Sequence, residues 1–278
     1  MSQSKDSVVR AMTADGSFRV IAVTLDTTVQ RIVTAQASDE GAALRLAELV
    51  AAAVLVREIS APDKRVQLTL RGREGGSLVA ESRPDGACRG FVNPGNSESA
   101  EVSEVLFQVA YHRADGSLHQ STIQIPATAS VAEALMMYLQ TSAQIMATVG
   151  IRSCRQDGGM TATGYAAQLL PQADAGVVEL VTSRLEANDP LEGRRATADL
   201  VAAVVGDLPT TPLAQSDLRF ECTCSRERVM ATLAGLPQTD LLEMVADQEP
   251  VAIHCDGCGN AYEISVAELS GMVTFPKK

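Results

Sequence analysis

Residues 44 to 56 read Leu44-Arg45-Leu46-Ala47-Glu48-Leu49-Val50-Ala51-Ala52-Ala53-Val54-Leu55-Val56. A helix is expected to start at Ser38, with Asp39 and Glu40 in its first turn, where negative charge meets the positive end of the helix dipole. Beyond that turn the apolar residues are not confined to one stripe but recur on more than one face of the helix. The run is shorter than the ~20 residues of a bilayer span and carries Arg45 and Glu48. It is therefore expected to be a buried central helix, around which the rest of the chain must build its layers.

Upstream, Gly16 to Leu25 is rich in β-branched and aromatic residues and reads as the first strand. Thr27 or Thr28 could cap a short helix through Val29, Ile32 and Val33. Downstream, the period changes to two. Val66, Leu68 and Leu70 alternate with Gln67, Thr69 and Arg71, a half-buried strand. Ser77 to Ser82 and Cys88 to Val92 follow across a Pro84-Asp85-Gly86 turn. After a polar stretch from Asn93 to Ser99 come Glu104 to His112, a turn at Ala114-Asp115-Gly116, and Leu118 to Ile125. This is a run of antiparallel hairpins.

Ser130 followed by Glu133 is a capping box for the next helix. Leu135, Met136, Leu139, and later Ile145 and Met146, are its expected core-facing stripe. A strand at Thr148 to Ser153, a tight passage at Gly158-Gly159 and the stretch Gly164 to Pro171 complete an α+β domain over residues 1–172.

Residues 173–215 differ. Val177 to Leu185 and Thr197 to Val205 read as short helices, broken by Asn188-Asp189-Pro190 and by Pro209-Thr210-Thr211-Pro212. Their apolar faces are too small for a core of their own, so they must dock on a neighbour as a helical linker of low intrinsic stability. The tail, 216–278, holds a probable strand ending at Phe220, a helix from Ser225 and another from Gln238 or Thr239 to Ala246. A hairpin around a cysteine pair and a helix from Val266 to Gly271 follow.

The formal charge of −11 argues against a nucleic-acid partner, whose phosphates require a basic face. Met1-Ser2-Gln3-Ser4-Lys5-Asp6 lacks the apolar core of a secretory signal, and nothing reads as a membrane span. The chain is expected to be soluble and cytoplasmic. No Gly-rich loop ending in Lys-Ser or Lys-Thr offers a phosphate site, and none of the three histidines lies near a nucleophile motif. Enzyme chemistry is not expected.

Four of the six cysteines form two close pairs in the tail, Cys222-Thr223-Cys224 and Cys255-Asp256-Gly257-Cys258. Two pairs that fold back on one another supply the four thiolates of a tetrahedral zinc site. A thiolate placed for zinc is also placed to form a disulfide once the metal leaves. Spacing alone leaves a purely structural zinc knot and a redox sensor both open. His254 could offer a further ligand, but four thiolates already complete the shell. Cys88 and Cys154 lie on strand patterns and read as small buried hydrophobes. His112 and His119 are expected at the surface near a hairpin turn. Met136, Met137 and Met146 read as core on one helix rather than as a client-binding face.

The tail motif Phe220-x-Cys222-x-Cys224-Ser225-Arg226-Glu227-Arg228, followed by Cys255-x-x-Cys258-Gly259 and Tyr262, resembles the redox-regulated, ATP-independent chaperones of the heat shock protein 33 family. Arg89-Gly90-Phe91-Val92 with Asn93-Pro94, Ser142-Ala143-Gln144-Ile145, and Gly158-Gly159 with Gln168-Leu169-Leu170-Pro171 are also similar to that family. The resemblance thus extends over nearly the whole chain. Ala143, where the family usually has an acidic residue, and Gly257, where an aromatic is common, depart from its pattern.

The resemblance implies a holdase that binds one zinc ion through Cys222, Cys224, Cys255 and Cys258 when reduced and inactive. Oxidation to Cys222–Cys224 and Cys255–Cys258 disulfides releases zinc, unfolds the tail and detaches the linker. Apolar surface then binds unfolded client proteins, and oxidised members form homodimers. C-x-x-C closes more easily than the strained C-x-C, so Cys255–Cys258 should form first. A thiol–disulfide oxidoreductase using Cys255 and Cys258 is the alternative of another class, although no thioredoxin-like βαβ unit surrounds that pair. A zinc-ribbon adaptor with a fixed protein partner is the third reading.

Overall fold

The quoted helix spans Glu40–Ser60 (α2), and from Leu49 to Ile59 every side chain on it is buried. The computed structural model describes residues 6–36, 39–72, 76–93, 105–112, 116–156, 158–193 and 195–273. Ser38, residues 94–99 of the polar stretch, and Ala114 and Asp115 of the expected turn lie outside them. Asp39 is the N-cap of α2, its carboxylate accepting the Ala42 N–H at 2.9 Å.

The chain divides into two compact units, Met1–Glu221 and Cys222–Lys278. In the first, β1 (Ser7–Thr13), β2 (Phe18–Leu25) and α1 (Thr27–Gln36) precede α2. After it come β3 (Arg65–Arg71), β4 (Ser77–Ser82), β5 (Ala87–Asn93), β6 (Val105–His112), β7 (Leu118–Ile125) and α3 (Val131–Thr141). Then follow β8 (Ala147–Gln156), β9 (Gly159–Leu169), α4 (Ala175–Ala187), α5 (Thr197–Val205), β10 (Thr210–Asp217) and β11 (Arg219–Phe220). The strands form a five-stranded sheet ordered β10-β1-β2-β9-β8 and a six-stranded sheet ordered β11-β5-β4-β3-β6-β7. α2 packs against β3, β4 and β5 of one sheet and against β2, β8 and β9 of the other. That two-sided cover is why its sequence shows no polar face.

The expected hairpins are present as antiparallel pairs β3–β4, β4–β5 and β6–β7, and the mixed α+β class holds. The Ser130 capping box is formed in full with Glu133.

Other expectations are corrected. The first strand is β1, not the stretch from Gly16; Gly16, at φ 78°, is in the turn that joins β1 to β2. Neither Thr27 nor Thr28 caps α1. The buried carboxylate of Asp6 does so instead, accepting N–H groups of Asp26 at 2.8 Å and Thr28 at 2.6 Å. α3 ends at Thr141, so Met146 is not on it and is 57% exposed, while Met136 and Met137 do pack on the core.

The second face of the five-stranded sheet carries Phe18, Val20, Ala22, Tyr165 and Ala167, and it is covered by Val181, Leu200, Val201, Val204 and Val205 of α4 and α5. The two short helices do dock on a neighbour. The expected break at Pro209 to Pro212 is instead the start of β10, which pairs with β1 as the outermost strand. Pro212 is tolerated there because an outer strand has donors that need no partner, and a bulge opposite Arg10 and Ala11 accommodates it. At Leu218 the chain leaves one sheet for the other, and β11 pairs in parallel with Ala87 and Cys88 of β5.

The second unit holds α6 (Arg226–Ala234), α7 (Gln238–Ala246), the hairpin β12 (Val251–His254) and β13 (Ala261–Ile264), and α8 (Val266–Met272). Among its described residues the core cluster is built on buried Leu233, Ile264 and Leu269, and Leu241 and Val273 are buried as well.

Leu49→Ala should cost about 2–5 kcal/mol of stability, because a helix held between two sheets cannot collapse onto the cavity. Urea denaturation of the purified variant measures it, and a loss below ~1 kcal/mol would contradict two-sided burial.

Candidate metal centre

Cys222 and Cys224 lie on the extended segment that enters α6, and Ser225 fixes where that segment ends. Its hydroxyl accepts the Arg228 N–H at 3.3 Å as the helix N-cap. Arg228 in turn donates to the Thr223 hydroxyl at 2.6 Å, between the two cysteines. Cys255 and Cys258 sit in the turn joining β12 to β13. The Cys255 N–H donates to the Asn260 carbonyl at 2.9 Å, and the Cys255 carbonyl accepts from Cys258 at 3.3 Å and Gly259 at 2.8 Å. Gly259, at φ 72°, supplies the left-handed residue that closes this turn. Gly257 answers no steric need, since a Cβ there would meet Cys222 Sγ at an ordinary 3.5 Å.

That segment and that turn bring all four sulfurs within 4.8 Å of one another. Cys222 Sγ is 3.6 Å from Cys255 Sγ, and Cys224 Sγ is 3.3 Å from Cys258 Sγ. A tetrahedron with metal–sulfur bonds of 2.3 Å has sulfur–sulfur edges of ~3.8 Å, so the donor set fits a tetrathiolate metal ion. No other group of His, Cys, Asp or Glu among the described residues meets the same test, and exposed His254 is not part of it.

The electrostatics are those of a site that asks for a cation. Burial pushes the Cys224 thiol up, but the Tyr262 hydroxyl, donating at 3.0 Å, and the three neighbouring thiols bring it down to about 7. The same hydrogen bond holds the Tyr262 hydroxyl up at about 12. Burial raises Cys222 and Cys258, which also donate to neighbouring thiols. Cys224 is thus the sulfur that its surroundings favour as a thiolate, whereas Cys222 and Cys258 are held towards the thiol, a bias that a divalent cation would reverse.

Sequence reasoning places Tyr262 beside the cysteine motif without giving it a role; the structure gives it the Cys224 sulfur. Arg226, also in the motif, pairs with Glu268 at 2.7 Å, tying the start of α6 to α8. The other candidates lie elsewhere. Cys88 is buried, and burial pushes its thiol up to about 11, as befits an inert core residue. Cys154 is only half-buried. His112 is half-buried rather than exposed, and burial followed by the nearby Arg65 charge lowers its pKa, whereas His119 is exposed and stacks on Tyr111.

The chain was compared with known proteins. A model of the Hsp33 protein family matches residues 6–265. A 33 kDa chaperonin of Syntrophotalea carbinolica is 29% identical over 97% of this chain and 99% of its own length. A 33 kDa chaperonin of Geobacter sp. is 28% identical over 96% and 97%. In fold, the chain is similar to the crystal structure of a 33 kDa chaperonin, a heat shock protein 33 homolog, from Thermotoga maritima. The TM-score is 0.82 at 18% identity, over 96% of this chain and 97% of that one. No helix among the described residues is long and apolar enough to cross a membrane.

Cobalt added to the reduced, metal-free chain should give tetrathiolate absorption that saturates at one ion per chain. Tyr262→Phe, which removes the hydrogen bond to the Cys224 sulfur, should weaken that binding by roughly 10–100-fold. An unchanged affinity would leave Tyr262 with no part in the site.

Proposed function

This chain belongs to the Hsp33 protein family, and on that premise we propose that it is a redox-regulated, ATP-independent holdase chaperone. It binds unfolding client proteins in the cytoplasm and is not an enzyme. Residues 1–172 bind clients and form the homodimer of the oxidised state, 173–215 are the metastable linker, and 216–278 are the zinc-bearing switch.

Cys222, Cys224, Cys255 and Cys258 would hold the zinc ion. When bound, zinc supplies the charge that keeps four sulfurs ionised and binding free energy on the order of 10 kcal/mol. The tail needs that energy. A segment of this size with a core built on Leu233, Ile264 and Leu269 is of the kind that folds only with a staple. An oxidant such as peroxide or hypochlorous acid takes two electrons from each cysteine pair. Cys255–Cys258 and Cys222–Cys224 disulfides form, and the four donors are no longer available. The tail then loses its order, and the linker detaches.

The observation that carries this reading is what the linker hides. α4 and α5 cover Phe18, Val20, Ala22, Tyr165 and Ala167, a contiguous apolar face on the five-stranded sheet. Their hold is modest: apolar contact, a bond between Ser7 and Thr197 at 2.9 Å, the Asp174 N–H at the head of α4 donating to the Ser17 hydroxyl at 2.9 Å, and Arg152 on the loop between the helices. Removing them would bare a surface with no shape of its own to match, which suits a binder of many unfolded chains. The net charge of −11 gives nucleic acid no purchase. The oxidoreductase alternative has less support. Cys255-x-x-Cys258 sits in a β-hairpin turn rather than at the helix N-terminus that activates catalytic pairs.

Reduced, zinc-loaded protein should leave the light scattering of a heat-denatured client unchanged, and oxidised, zinc-free protein should suppress it; equal activity in both states would defeat the switch. Turnover in an insulin-reduction assay would favour the oxidoreductase. A mass-spectrometric time course should find Cys255–Cys258 closed before Cys222–Cys224, and the reverse order would sink the strain argument. Leu200→Ser, at a fully buried linker position, should raise client binding of the reduced, zinc-loaded protein severalfold.

A further inference from the structure

Between the five-stranded sheet and the loop joining α4 to α5 lies a cavity of about 190 Å³. Its walls include Thr24, Thr161, Thr163, Cys154 and Arg152, and Leu191 and Gly193 of the linker loop also line it. At about 30 Å³ per water-sized group, it is roomy enough for a small polar molecule. Two features mark it as more than a packing gap. Thr24 is 2% exposed, and its hydroxyl has no hydrogen-bond partner, an arrangement that costs about 1–3 kcal/mol unless something polar enters. Cys154, half-buried, places its sulfur 3.2 Å from the Thr161 hydroxyl in the same wall.

We propose that Cys154 is a second oxidant-modifiable thiol, reached by a small peroxide through this cavity, and that its oxidation loosens the linker loop. The peroxide transfers one oxygen to the thiol. A sulfur–oxygen bond forms and the oxygen–oxygen bond breaks; sulfur loses two electrons, and the second peroxide oxygen leaves as water with the thiol proton. The product is a sulfenic acid, whose added oxygen stands beside the Thr161 hydroxyl.

The link to the linker runs through Arg152. It lies two residues from Cys154 on the same strand, hence on the same face. Its guanidinium donates to the Leu191 carbonyl at 3.1 Å and pairs with the Asp189 carboxylate, both on the loop. Asp189 in turn accepts the Leu191 N–H at 2.9 Å. A sulfur-bound oxygen on that face competes with the loop for Arg152, and its bulk enters a space that the loop encloses. Cys88 provides the internal contrast, being 1% exposed on a strand of the other sheet.

That loosening matters for client binding only if the holdase reading above holds; the modification itself does not depend on it. The test is a peroxide titration of the full-length, zinc-loaded protein, with dimedone trapping and peptide mass spectrometry. Zinc release is followed with a metal indicator and hydrogen exchange over residues 175–205. Cys154 should be trapped at least about tenfold faster than Cys88, as accessibility dictates. At doses that leave zinc bound, exchange over 175–205 should rise in the wild type and stay flat in Cys154→Ser. The proposal is overturned if Cys154 stays unlabelled while the zinc cysteines oxidise, or if the wild type and Cys154→Ser exchange alike. The wild-type labelling needs no variant to fold. Complete zinc release without client protection would instead overturn the holdase reading, whatever Cys154 does.

Discussion

Burial of α2 on all sides is the constraint to which the first unit answers. A helix with no polar face needs apolar cover from two directions, and two sheets provide it. Near its C-terminal end the helix carries charge into that interior. Arg57 and Glu58 are 1% and 0% exposed; Arg57 donates to Glu58 at 2.5 Å and to the Ser82 hydroxyl at 3.0 Å. Arg10 pairs with the same carboxylate and reaches Ser216 of β10 at 3.2 Å. Buried charge of this kind contributes little net stability, yet leaving one member unpaired is costly. The cluster therefore ties the position of β10 to the inside of the fold.

The second unit is organised on the opposite principle. Its apolar core is slight, and its helices are fixed by caps and exposed pairs such as Arg226 with Glu268. Exposed pairs add little. Beside these stands the four-sulfur cluster, with the Cys255 turn and the Ser225 cap fixing where the cysteines sit. One chain thus joins a unit that stands on hydrophobic burial to a unit whose apolar core is slight and whose four cysteine sulfurs lie together.

Much of this was legible in the sequence, because each legible element advertises itself locally. Alternation marked β3, the box of Ser130 and Glu133 marked α3, and the cysteine spacing marked the four-sulfur cluster. The elements that escaped depend on partners far along the chain. β1 is short, and its pairing with β10 joins residues some two hundred positions apart. The cap of α1 comes from Asp6, twenty residues before it, so Thr27 and Thr28 were plausible but wrong. Pro212 spoke for a break, and only its place on an outer strand reverses that reading. At the candidate metal site the four cysteines were legible and Tyr262 as a sulfur hydrogen-bond donor was not, since nothing in its spacing fixes where the hydroxyl points.

β10 has a further consequence. It pairs with β1 along the whole of Ser7 to Thr13, and beyond β1 the order of the sheet continues inward to β2. Lifting β10 away would therefore strip one side of β1 of its backbone partners and leave a row of unpaired N–H and C=O groups beside the uncovered apolar face. Such a rim accepts any extended chain, because every unfolding protein carries the same backbone whatever its side chains. Promiscuity would then be written into the main chain: the strand that shields the sheet and the stranger that replaces it would use one and the same set of hydrogen bonds.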